Sequence, residues 1–237
     1  MFGWFKRRRP AVRPLRLRSR DEVGDATRVA FEDLAPDIDT FLGQAAYLQL
    51  GYVETLSELI ASTPQLQAKE ALSRAAGAAL TKHQAIVALI RERGADPTEL
   101  MLPFREPLDA FRTATHGLRP YETMLSVHIT AGMLDDFYDA LSHSYGEAGA
   151  RVARILQADA DRAQVVEMLA AAIAGDDELR SLLAMWGRRL VGDTILIARA
   201  ALSTPTLDAA ERQQVEPVFT GLLGAHARRM EALGLSA

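Results

Sequence analysis

Apolar residues recur every three or four positions along most of this chain. Phe41, Ala45, Leu48, Tyr52, Leu56 and Leu59 mark one face of a first helix, predicted from about Asp37 to Ala61. Pro36 precedes it and Pro64 ends it. A second helix is predicted from about Gln65 to Arg93, with Gly94 as its stop. The short turn between them makes the two an antiparallel hairpin. From residue 94 to 120 the pattern breaks: Pro97, Pro103, Pro107, Gly117 and Pro120 form a long connection, with a short helix near Leu108–Thr115. A third helix starts after Pro120 and runs to about Tyr145, and Gly146 marks the next turn. The fourth is predicted from about Glu147 to Ala174, before Gly175. Asp176, Asp177 and Glu178 supply an acidic first turn to a fifth helix ending near Ala201. Asp208 caps a sixth that reaches Leu233, with Pro217 as its kink point.

Leu, Ala, Glu, Arg and Gln dominate, and β-branched alternation is scarce, so the fold class is all-α. Two long hairpins joined by a long connection describe an antiparallel four-helix bundle with a crossover. Two further C-terminal helices follow. Their apolar faces either cover the bundle or form a homodimer contact, and the pattern does not choose between these.

Charge divides the chain. Residues 1–20 hold Lys6, Arg7, Arg8, Arg9, Arg13, Arg16, Arg18 and Arg20 and no acid; in a protein of net charge −4, these eight cations leave the remainder at −12. Pro10 and Pro14 oppose helix here, so residues 1–25 read as a disordered basic tail and 26–237 as the helical domain. No apolar segment of signal-peptide type follows the basic run, and no stretch nears the roughly 18 apolar residues of a membrane span. A soluble, cytoplasmic protein is the expectation. Trp4 beside Lys6, Arg7, Arg8 and Arg9 admits two functional readings. The cations neutralise RNA phosphates while aromatics stack on unpaired bases, or the aromatics enter an anionic membrane interface. A solvated arm with no specific partner is the third.

The absence of cysteine removes disulfides, Cys–zinc sites, iron–sulfur clusters and Cys nucleophiles. Any metal would depend on carboxylates and on five histidines. No Gly-rich phosphate loop and no recognisable serine-hydrolase nucleophile setting occurs. Glu54 precedes the first turn by about ten residues, roughly 15 Å at 1.5 Å per residue. Asp136 lies a similar distance before the second turn, and His83 and Asp161 lie beyond the turns on the returning helices. Acids and histidines projecting inward from four helices are how bundles hold metal. Glu54, His83, Asp136 and Asp161 are therefore the candidate ligands. In Trp186-Gly187-Arg188-Arg189-Leu190-Val191-Gly192-Asp193, the glycines suit close helix contact, and Arg189 and Asp193 are spaced for an i,i+4 pair.

Gly51-Tyr52-Val53-Glu54, Ala79-Leu80-Thr81-Lys82-His83, Leu134-Asp135-Asp136-Phe137-Tyr138 and the Trp186–Asp193 stretch together resemble the ferritin-like proteins similar to tRNA 2-methylthio-N6-isopentenyladenosine hydroxylase, the MiaE-like group. The resemblance covers roughly residues 35–205. It implies a ferritin-like fold and a non-haem di-iron centre that activates dioxygen for a hydroxylase reaction. This chain departs from the implied ligand set. Leu80 and Ala158 stand where acids are expected, and Asp161 stands where a His is expected. Three functions follow: an iron oxygenase acting on RNA or a small molecule, a ferritin-like pseudoenzyme serving as scaffold, or a nucleic-acid or membrane adaptor led by the tail.

Overall fold

A computed structural model describes residues 34–158, 163–202 and 209–237, with backbone alone at 209–214. Helix α1 spans Ile38–Ser62 and α2 spans Leu66–Glu92. The Asp37 carboxylate opens α1 by accepting from the Asp39 and Thr40 amides at 3.1 and 3.0 Å. These bonds satisfy donors that the first turn leaves free, and the Thr40 amide holds the Asp37 carboxyl below its usual pKa. Thr63 is extended before Pro64, which ends the helix. Gly94 closes α2 with φ of 80°, a conformation that glycine adopts without strain.

The connection is more helical than its prolines suggest. It contains α3 (Pro97–Met101), a 3-10 turn at Leu102–Phe104 and α4 (Arg105–Thr115). Proline in the first turn of each of the first two segments costs no hydrogen bond, because those amides have no intrahelical partner. Helix α5 (Pro120–Ser142) follows. Its start is fixed by Glu122, whose carboxylate accepts from the Leu118 and Arg119 amides at 2.7 and 3.2 Å.

The predicted fourth helix is two helices, α6 (Gly146–Gln157) and α7 (Ala163–Ala174). Ala158, at φ −55° and ψ 141°, leaves the helical region and ends α6. Helices α8 (Asp177–Ala200) and α9 (Ala209–Ala232) complete the chain, with Pro217 inside α9.

The α1–α2 hairpin faces a second antiparallel pair made of α5 and the α6–α7 arm, with α3 and α4 crossing between them. This is an all-α, ferritin-like bundle. Helices α8 and α9 lie on the side of α5 turned away from the hairpin and cover the bundle. Helix α5 is consequently enclosed on nearly every side, and seventeen of its residues are buried. Phe41, Ala45, Leu48, Tyr52, Leu56 and Leu59 all enter the core, as the spacing of α1 predicts. Among the described residues, no helix is long and apolar enough to cross a membrane.

Candidate functional site: a buried ion pair at the bundle centre

Where the four core helices meet, the polar residues are Gln49, Lys82 and Asp135. Lys82 is only 3% exposed, and the other two are buried as well. The Lys82 ammonium lies 3.0 Å from Asp135 Oδ2 and donates to the Leu156 carbonyl at 2.6 Å. Gln49 Nε2 donates to Asp135 Oδ1 at 2.9 Å. One cluster thus joins α1, α2, α5 and α6. Burying either charge alone would cost several kcal/mol, and the pair persists because each ion has its counter-ion and hydrogen bonds.

A cavity of about 30 Å³ adjoins the cluster, lined among others by Gln49, Tyr52, Lys82, His128 and Asp135. It is an order of magnitude below the roughly 300–1,000 Å³ of small-molecule sites. His128 and Asp135 also line an open cleft of about 380 Å³ on the outer side, with Asp136, Asp139, Gln157 and Arg229. The carboxylates there have partners of their own. Asp136 meets Arg229 at 2.7 Å, and Asp139 accepts from Gln157 at 3.0 Å while burial pushes its pKa up.

Of the four residues expected as metal ligands, the three that are described, Glu54, His83 and Asp136, each have another partner. The Glu54 side chain is 45% exposed and turned to Arg112, 3.4 Å away. Arg112 also meets Glu58 at 3.2 Å, so this carboxylate belongs to a surface network. His83 donates from Nδ1 to the Ala46 carbonyl at 2.9 Å, which commits that nitrogen to the backbone of α1. Asp136 is held by Arg229, on the α9 side of α5. Asp161 lies outside the described residues. Among the described residues, no group of three or more His, Asp or Glu could hold a metal ion.

The physical reason is helix register. Glu54 is two residues from both Tyr52 and Leu56, hence about 200° around α1 from the buried stripe. His83 and Asp136 each sit one residue, about 100°, past the inward Lys82 and Asp135. Leu80, which stands where the resemblance implies an acid, is 38% exposed for the same reason, being two residues from Lys82.

These donors do not fit an iron centre. Among the described residues, the inward positions supply one ammonium, one amide, one carboxylate, the Tyr52 hydroxyl and the single imidazole of His128, and that carboxylate is already bound to the ammonium. A cation cannot bind beside Lys82 without meeting a like charge at close range. The residues that do form the centre carry a sequence signal. Gln49 is four residues after Ala45, and Lys82 is seven after Ala75 and four before Ile86, on the apolar stripes of α1 and α2. The expected Arg189–Asp193 pair is also not formed: Arg189 lies over the Trp186 ring, 5.0 Å from its centroid. Gly187 does permit close helix contact, since Met230 occupies the space where a Cβ would project.

The architecture and its centre define a ferritin-like helical bundle organised around an internal ion pair. Residues 35–208 match the family described as the ferritin-like domain of actinomycetes, and the chain belongs to that family. No curated protein matches it. The tail residues Trp4, Lys6, Arg7, Arg8 and Arg9 lie outside the described residues.

Proposed function

We propose that this protein is a ferritin-like scaffold without oxygenase chemistry, in which the Lys82 ammonium does the electrostatic work that a metal cation does in a di-iron bundle. The observation that carries this reading is the Lys82–Asp135 pair, 3.0 Å long and hydrogen-bonded to Gln49 and Leu156 across four helices. A hydroxylase of the MiaE-like kind needs inward acids and histidines that bridge and neutralise iron. Here Glu54 faces Arg112, His83 faces a carbonyl and Asp136 faces Arg229. The small volume beside Lys82 argues in the same direction, because a modified nucleoside does not fit within it.

Anaerobic loading with Fe(II), followed by desalting and elemental analysis, tests the proposal. Wild type and His83→Ala should both retain no stoichiometric iron. Iron bound at one or two per wild-type chain and lost in His83→Ala would restore the oxygenase reading.

A further inference from the structure

We propose that the outward face of α8, with the neighbouring face of α9, docks onto a membrane surface bearing anionic headgroups. Toward the bundle α8 turns Leu183, Gly187, Leu190, Thr194 and Ala198, all buried. Its other side exposes Met185, Arg189, Gly192 and Leu196, spaced four, three and four residues apart on one helical face. Met185 is 59% exposed and Leu196 is 67% exposed. A Cβ at Gly192 would meet nothing within 4 Å. Packing within the chain therefore does not require this glycine, which leaves the face low between Arg189 and Leu196.

Helix α9 extends the surface. Met230 beside Gly187 and Arg199 over Phe219, 5.0 Å from the ring centroid, set an antiparallel register. That register brings exposed Leu223 level with Ile195 and exposed Arg228 level with Arg189.

Charge selects the partner. Arg188 donates to Ser236 at 2.9 Å, while Arg189 and Arg199 lie over aromatic rings. Among the described residues, neither these three nor Arg228 has a carboxylate within ion-pair distance. Arg74, Arg93, Arg112, Arg151, Arg180 and Arg229 all do; the other described arginines that do not, Arg91, Arg105, Arg119 and Arg154, are spread over α2, α4, the start of α5 and α6. Asp193 is half-buried on the flank of the face, exposed Glu178 lies at its N-terminal end two turns before Met185, and Glu216 and Glu231 lie towards the two ends of α9. Guanidinium groups without counter-ions among the described residues, interspersed with Leu and Met, suit a lipid interface. Acidic headgroups take the cations, and the apolar side chains enter the headgroup–acyl boundary. A nucleic acid would leave Met185 and Leu196 against water and would call for exposed aromatic platforms. Trp186 is instead half-buried, donating to Ser126 Oγ at 2.8 Å beneath Arg189.

The inference is independent of the Lys82 centre, which its test leaves intact. The chain has no cysteine, so Leu196→Cys gives a unique labelling position on the full-length protein. An environment-sensitive fluorophore there is compared with one at Ser73→Cys, exposed on α2. Vesicles of phosphatidylcholine alone and vesicles with one part phosphatidylglycerol to two parts phosphatidylcholine provide the membranes. The proposal expects about tenfold tighter association with the anionic vesicles, and a blue shift at position 196 with none at 73. Three results would overturn it: no association, equal association with both vesicles, or association with a silent label at 196, which would assign binding to the tail. A shift that grows with protein concentration before vesicles are added would also overturn it, in favour of a second copy of the chain.

Discussion

A single residue step separates Lys82 from His83 and Asp135 from Asp136, and that step is about 100° of helix rotation. It decides what lies at the centre of the molecule. Lys82 and Asp135 turn inward and satisfy each other, while His83 bonds the Ala46 carbonyl and Asp136 bonds Arg229. His226 shows the same scale of control on α9. Burial lowers its pKa from 6.5, with the nearby Arg229 adding to the effect. The folded protein therefore binds the proton less readily than the unfolded chain. The stability that neutral His226 contributes is complete above about pH 6.5 and declines as pH falls through that value towards the folded-state pKa. Denaturant titrations at successive pH values should show this slope in wild type and a flatter one in His226→Gln. Coincident slopes would mean that another group sets it.

At the scale of elements, two glycines respond oppositely to one substitution. A Cβ at Gly149 would strike the Ser142 carbonyl, where the end of α5 meets the start of α6. Gly149→Ala should cost about 1–3 kcal/mol through overpacking. Gly77, exposed within α2, has nothing near its missing Cβ. Gly77→Ala should gain about 0.5–1 kcal/mol from helix propensity alone. Chemical denaturation of the two variants checks both signs; a loss at Gly77 or a gain at Gly149 would refute the packing described. Elements were legible in the sequence where a residue enforces a boundary. Pro36, Pro64, Gly94 and Gly146 do so by removing a donor or permitting an unusual backbone angle. The break at Ala158 was not legible, because Ala158-Asp159-Ala160-Asp161 contains no such residue. Helix α5 hid its register for a different reason. It is enclosed by α1, α6, α8 and α9, so apolar residues surround it and periodicity cannot rank Asp135 against Asp136.

Over the whole molecule, the bundle and the existence of two further helices follow from hydrophobic spacing, which is why the fold could be read before the site; that those helices cover the bundle is seen only in the structure. The site could not be read the same way. A buried lysine breaks the expectation that such side chains stay in water, and only its place on the stripe of Leu72, Ala75 and Ile86 marks it. Four helices close on one hydrogen-bonded ion pair at the centre. Global stability should therefore depend on the two charges jointly rather than separately. The most direct measurement is the unfolding free energy of Lys82→Met, Asp135→Asn and the double variant. Asparagine is chosen because it leaves an oxygen for Gln49 Nε2–H. Lys82→Met alone should cost about 3–5 kcal/mol by stranding the Asp135 carboxylate, and the double variant should recover to within about 1–2 kcal/mol of wild type. If each single variant costs under about 1 kcal/mol and the two effects simply add, the ion pair does not hold the centre and this account of the bundle fails.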